Sequence, residues 1–244
     1  MSKRSGGAGE TLRTVVYAVL IAIVVRTFAY EPFNIPSGSM VPTLLVGDYL
    51  FVSKFSYGYS RYSLPFSPPL FSGRVLAEPP RRGDVAVFKT PADNATDYIK
   101  RVIGLPGDRV QMRQGRLYIN GIKVERRRLG AFSYFDRERN AIIRLTQYEE
   151  ILPGGVRHPI LEASDRERLD NTREFTVPEG HYFMMGDNRD NSIDSRARVG
   201  FVPLENFIGR AEMIFYSTDG SARLWEVWKW FPAIRYGRLF GAIE

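Results

Sequence analysis

The chain predicts a mostly β domain with a smaller inserted subdomain, carried on a single N-terminal transmembrane helix. Three observations predict it. One apolar run, Val15 to Val25, stands near the N-terminus, and no second long one follows Pro32. Beyond it, short strand-like segments alternate with Gly, Pro and Asn-Gly turns. From Glu125 to Arg173 the texture changes to dense charge with a weak hydrophobic pattern. The chain thus divides into a tail (1–10), an anchor (11–30) and a β-domain (31–244) with an insertion at about 125–173. At 244 residues it can bury a sizeable core.

The apolar run extends through Thr27-Phe28-Ala29-Tyr30 after Arg26. As a helix, Thr11 to Tyr30 spans roughly the 30 Å of a hydrocarbon core. Arg13 and Arg26 lie near its ends, where arginine can snorkel to headgroups, and Tyr30 falls in the aromatic interface zone. The same run also fits a cleaved signal peptide or a buried core helix. Lys3, Arg4 and Arg13 precede the segment, which puts the N-terminus in the cytoplasm and the remainder outside. Arg26 on the far side weakens that argument without reversing it.

Next come the strands. Asp48 to Val52, Asp84 to Phe88 and Tyr98 to Ile103 read as strands. After Gly104-Leu105-Pro106-Gly107-Asp108, a meander runs from Val110 to Val124 through turns at Gln114-Gly115 and Asn120-Gly121, the latter the strongest short hairpin signal. Tyr57 to Pro80 reads as a long irregular loop. Strand texture resumes at Phe175-Thr176-Val177 and Tyr182 to Met185. Glu125 to Arg173 reads as an insertion outside the catalytic core. The C-terminal Trp225-Glu226-Val227-Trp228-Lys229-Trp230-Phe231 holds all three tryptophans. Such a segment suits either a membrane interface or packing on the domain's own sheet.

Composition narrows the chemistry. There is no cysteine, which excludes cysteine nucleophiles, disulfides and thiolate metal sites. The net charge of +7 is spread along the chain, with clusters only at Arg81-Arg82 and Arg126-Arg127-Arg128. That pattern fits a solvated surface or anionic lipid headgroups, not nucleic acid. The two histidines, His158 and His181, lack a partner at metal-ligand spacing and read as structural.

A serine nucleophile then needs another base. Ser39, in Pro36-Ser37-Gly38-Ser39-Met40-Val41-Pro42-Thr43-Leu44, sits just beyond the anchor. Neither the G-x-S-x-G elbow nor S-x-x-K is present. A lysine base must be neutral at working pH, so burial must lower its pKa from ~10.4 toward ~7–8. Lys100 shares a strand face with Tyr98 and Val102, while Arg101 points the other way. It reads either as that desolvated base or as an edge-strand lysine that blunts aggregation. Gly186 to Arg196 is rich in carboxylates, but an arginine, Arg189, falls where a Ca²⁺ loop needs an oxygen ligand. It reads as a tight polar turn held by Asp–Arg pairs.

Four stretches together resemble the bacterial type I signal peptidases: Ile35 to Asp48, Arg82 to Phe88, Tyr98 to Asp108 and Gly186 to Arg196. They fall in that family's order, and the resemblance covers the anchor and the β-domain but is weak between about Glu125 and Arg173, where the family varies in length. The resemblance implies a signal-peptidase-like β-domain and a serine endopeptidase with a Ser–Lys dyad, Ser39 as nucleophile and Lys100 as general base. Ser37 and the Ser39 backbone N–H would form the oxyanion hole, and Ser192 would orient the lysine. Asp187 with Arg101, and Asp194 with Arg196, would be supporting ion pairs. Phe33, Ile35 and Ile99 would line shallow pockets for small side chains, with Met40 and Leu44 in an apolar floor.

It further implies no cofactor and no metal. The partners would be secreted preproteins and membrane lipids, not nucleic acid, and the protein would act as a monomer. The location would be the bacterial inner (cell) membrane, single-pass, with the catalytic domain on the outer or periplasmic side. Two other readings compete. A self-cleaving Ser–Lys repressor needs a DNA-binding module and no anchor. An inactive tethered β-domain that binds partners would not need Ser37, Ser39, Lys100 and Ser192 together.

Overall fold

The computed structural model describes residues 8–65, 67–136, 139–222 and 225–243. Lys3 and Arg4, used in the topology argument, lie outside them. The apolar run forms α1 (Ala8–Phe28), one helix long and apolar enough to cross a membrane. Its apolar side chains are exposed all round, from Val15 and Val16 to Val24 and Val25. A helix apolar on every side and uncovered by protein suits lipid better than a soluble core. The helix stops short of the expected Tyr30, which opens β1 (Tyr30–Asn34). Arg26 at its end is matched by Glu31, at 2.9 Å.

The remaining strands follow in chain order. They are β2 (Asp48–Ser53), β3 (Tyr59–Ser60), β4 (Arg74–Val75), β5 (Val85–Lys89), β6 (Asp97–Gly104), β7 (Arg109–Arg113), β8 (Arg116–Ile119) and β9 (Ile122–Lys123). Then come β10 (Glu125–Asp136), β11 (Ala141–Ile151), β12 (Arg157–Glu162), β13 (Phe175–Thr176), β14 (His181–Met185), β15 (Val202–Pro203), β16 (Phe207–Ser217) and β17 (Gly241–Ala242). The main sheet runs β1-β2-β16-β5-β6-β14-β15, with β17 on β16. The meander forms a second sheet, β13-β7-β8-β9, and the irregular loop carries the small β3–β4 ribbon.

Two features depart from the sequence reading. No expectation fell on β16, yet it is a central strand, pairing β2 on one side and β5 on the other. The charged region forms a three-stranded sheet, β10-β11-β12. Many of its side chains are exposed, so no buried face imposes a two-residue apolar repeat. Cross-strand charge pairs such as Arg127–Glu149 take that place.

Strand β6 has one property that matters for the site. It pairs β5 through Asp97 to Arg101, but β14 meets it only from Arg101 to Gly104. Residues 97–100 therefore keep one open edge. Val102 exchanges its backbone hydrogen bonds with Gly83 and Asp84, on the β5 side. By the alternation of an antiparallel ladder, the N–H and C=O of Ile99 face the open edge.

The C-terminal segment carries α2 (Val227–Ala233). Trp225 and Trp228 are each 68 % exposed and Phe231 is 73 % exposed. All three rings are thus mostly exposed to the surroundings of the domain.

Candidate active site

Ser39 sits in a single 3₁₀ turn, Gly38–Met40, between β1 and β2. The turn is fixed from below: Met40 and Leu44 are fully buried in a core that also holds Ile35. Downstream, the buried Asp48 carboxylate accepts from the Leu45 N–H at 2.7 Å and the Ser217 hydroxyl at 2.6 Å, and pairs with Arg238 at 2.5 Å. A 3₁₀ turn leaves its first N–H groups without intrahelical partners. Those of Gly38 and Ser39 are therefore free to serve a ligand.

Lys100, on β6, brings its Nζ to 2.7 Å from Ser39 Oγ and 2.8 Å from the Ile99 carbonyl. The same Nζ lies 5.2 Å from the centre of the Tyr98 ring, the neighbour expected on its face. Only 3 % of Lys100 is exposed. Burial lowers its pKa from 10.5 to about 8, against the opposing pull of Asp194 and Asp187. Ser37 Oγ lies 3.3 Å from Ser39 Oγ on the cavity side.

Arg101 leaves β6 on the other face and is fully buried. Its guanidinium meets Asp187 through Nε at 2.9 Å and Nη2 at 2.8 Å, and donates to the Gly83 carbonyl at 2.7 Å. Burial pushes the Asp187 carboxyl up, but Arg101 outweighs it and holds it below the ordinary value. The same carboxylate accepts from the Thr43 hydroxyl at 2.5 Å, tying it to the loop that carries Ser39. Asp194 is likewise held low, with Arg196 overriding burial at 3.0 and 2.8 Å. Asp194 also accepts from the Gly186 N–H, and Arg196 donates to the Arg189 carbonyl, closing the turn. Gly186 has to be glycine: a Cβ there would stand 2.3 Å from Ser192 Oγ and 2.6 Å from the Ser39 carbonyl oxygen.

Ser192 lines the same cavity as Ser39 and Lys100. The expected hydrogen bond to the lysine is not formed: Ser192 Oγ has no partner among the described residues. Its hydroxyl lies against Gly186, while Lys100 Nζ directs its bonds to Ser39 and Ile99. Ile99 lines the cavity as expected. Phe33 and Ile35 are not among its lining residues; Ile35 is buried with Met40 and Leu44 in the adjoining core, and the partly buried Phe33 packs against that core.

The insertion is not detached from the site. The cavity, about 510 Å³, has three walls from the sequence motifs: Pro36 to Ser39, Asp97 to Lys100, and Arg189 to Ile193. Its fourth wall is Glu167, Arg168 and Leu169, from the segment after β12. That segment is held by Asp190, which accepts from the Ala163 N–H at 2.7 Å. Beneath it, buried Arg189 pairs with Glu150 of β11 at 2.9 and 2.5 Å. Burial raises the Glu150 carboxyl, yet Arg189 and His158 together bring it below the ordinary range. His158 is buried in this cluster, 3.4 Å from Glu150, and burial and Arg101 lower its pKa from the ordinary value. Arg189→Met alone should strand the Glu150 charge and lower stability by about 3–5 kcal/mol in denaturant unfolding. Adding Glu150→Met should restore most of it; an unchanged midpoint in the single variant contradicts this reading.

Residues that the sequence reading missed are Asn188, Thr43, Tyr134 and the 167–169 wall. Asn188 and Thr43 lie inside recognisable motifs, and only their roles were unread. Tyr134 and residues 167–169 carry no local signal.

Comparison with known proteins agrees in direction. The family described as Signal peptidase, peptidase S26, matches residues 8–216. A signal peptidase I of Rickettsia typhi is 43 % identical over 248 residues, covering 95 % of this chain and 92 % of that protein. One from Rickettsia conorii is 43 % identical over 241 residues, covering 92 % and 89 %. A crystal structure of a signal peptidase I from Enterococcus faecalis is 30 % identical with a TM-score of 0.33, covering 55 % of this chain and 97 % of that one.

Proposed function

The chain belongs to the signal peptidase family, peptidase S26, and from that membership we propose that it is a membrane-bound enzyme cutting secreted preproteins after small residues with a Ser39–Lys100 dyad. The observation that carries this is the 2.7 Å approach of a buried lysine amine to a serine hydroxyl. Ser39 Oγ attacks the scissile carbonyl. Neutral Lys100 takes the hydroxyl proton and returns it to the leaving amine, and water then releases the acyl-enzyme. The Ser37 hydroxyl and the Ser39 N–H face the position of the developing oxyanion. Arg101–Asp187 and Asp194–Arg196 neutralise the charges around the base. Ser192 stands within the same cavity.

The open edge of β6 accepts substrate as an added strand, with Ile99 offering backbone groups. Ile99, packed with the buried Ile35 and the partly buried Phe33, makes the apolar floor against which only small side chains fit. The single α1 anchors the enzyme in the cell membrane. Arg13 lies near its N-terminal end, ahead of the apolar run Val15–Val25, and Arg26 at the other end pairs with Glu31, so the positive-inside balance favours a cytoplasmic N-terminus and an outer catalytic domain. The exposed Trp225, Trp228 and Phe231 suit the lipid interface. One copy contains the whole dyad, so a monomer suffices.

The test is purified full-length protein in lipid or detergent, mixed with a preprotein. Cleavage after a small residue is expected; no cleavage counts for the inactive tethered domain. Ser37→Ala should slow the reaction by roughly 10²–10³-fold, as expected for one oxyanion donor. An unchanged rate removes Ser37 from the site.

A further inference from the structure

Two side chains outside the dyad and its ion pairs rest directly on the turn that carries the nucleophile. Asn188 is fully buried. Its backbone N–H donates to the Ser39 carbonyl at 3.1 Å. Its side-chain amide donates to the Gly38 carbonyl at 3.0 Å and to the Tyr134 hydroxyl at 3.1 Å. Tyr134 comes from β10, in the insertion. Its ring also lies against the turn, since a Cβ built on Gly38 would stand 3.8 Å from Tyr134 Cε2.

The consequence follows from the peptide group. A trans peptide is planar, so its C=O and N–H point in opposite directions. The carbonyl of Gly38 and the N–H of Ser39 belong to one such plane. Holding the carbonyl on Asn188 aims the N–H the other way, into the cavity where the oxyanion develops. Both amide protons of Asn188 are used, one on Gly38 and one on Tyr134. The phenol oxygen thus fixes the amide that fixes the peptide plane.

We propose that Asn188 and Tyr134 are positioning residues that set the Gly38–Ser39 peptide plane, and that the inserted β10 strand is thereby part of the oxyanion hole. This rests on the dyad reading above. It differs from a packing role, because it ties the two side chains to transition-state stabilisation and not to substrate affinity.

The experiment uses the full chain, with wild type and Ser39→Ala as first controls. If wild type does not cut a preprotein, the functional reading fails, independently of this proposal. In an active enzyme, Tyr134→Phe keeps the ring and removes one hydrogen bond. It should lower kcat by about 3–10-fold, the value of one such bond. Asn188→Ala removes the shorter of the two bonds on the Gly38 carbonyl, leaving that from the Val41 N–H at 3.3 Å, and by loosening the peptide plane should lower kcat by about 10–10²-fold. In both variants KM should stay within about 2-fold. A peptide aldehyde, whose tetrahedral adduct on Ser39 carries the oxyanion, should lose affinity by the same factor as kcat. The pH midpoint and the Tm of Tyr134→Phe should match wild type. Unchanged kcat and aldehyde affinity in Tyr134→Phe overturn the proposal. A change in KM alone, or a loss explained by a lowered Tm, overturns it as well.

Discussion

Ser39→Ala is expected to reduce preprotein cleavage by at least about 10⁴-fold while the protein stays folded, because the attacking atom is gone and only binding and the oxyanion hole remain. The substitution is mild structurally. Ser39 is small, its carbonyl keeps the Asn188 N–H, and the turn is held by Met40 and Leu44 rather than by the hydroxyl. Loss of its Oγ removes one partner of Lys100 Nζ, which retains the Ile99 carbonyl. A cleavage assay with purified variant, alongside a melting curve, decides the matter. Processing at the wild-type rate would falsify the nucleophile assignment.

Lys100→Met should remove activity to a similar extent, and Lys100→Arg should fail too, since a guanidinium stays charged and offers no base. The same residue sets the pH dependence. Only the neutral amine accepts the Ser39 proton. With burial lowering its pKa from 10.5 to about 8, the rate should climb about tenfold per pH unit below pH 8 and level off above it. Stability carries the same signature. Between pH 8 and 10.5 the unfolded lysine holds its proton and the folded one has released it, so stability from this group rises with pH across that window. Below pH 8 both forms are protonated and the group contributes no slope. In Lys100→Met the rise between pH 8 and 10.5 should vanish. A pH–rate profile that is flat from mildly acidic to alkaline solution would contradict a titrating lysine.

Much of the fold is legible locally. The apolar run of α1 announces itself by length alone. Strands β2, β5, β6 and β14 read from their apolar residues, and β7 to β9 from Asn-Gly and Gln-Gly turns. Lys100 and Arg101 diverge because successive side chains of a strand point to opposite faces, which needs no tertiary knowledge. The long β10 and β11 strands were harder, because they are exposed enough that no apolar alternation marks them. The apolar segment of β16 offered no motif and no turn that would mark it as a central strand.

By itself, then, the sequence determined the long apolar helix, most of the strands, and the residue types from which a Ser–Lys hydrolase can be built. Those are properties of short segments, governed by periodicity, turn chemistry and side-chain pKa. Only the tertiary structure decided how the parts meet. Ser39 and Lys100 are 61 positions apart, Asn188 and Gly38 150, and Asn188 and Tyr134 54. Contacts over such separations depend on how sheets pack, not on neighbouring residues. Packing placed Ile35 in the core adjoining the cavity and Phe33 against that core, left Ser192 against Gly186 instead of on the lysine, and brought Tyr134 and residues 167–169 from the insertion to the cavity. It also ended β14 opposite Arg101, which leaves residues 97–100 of the strand that carries Lys100 with one unpaired edge.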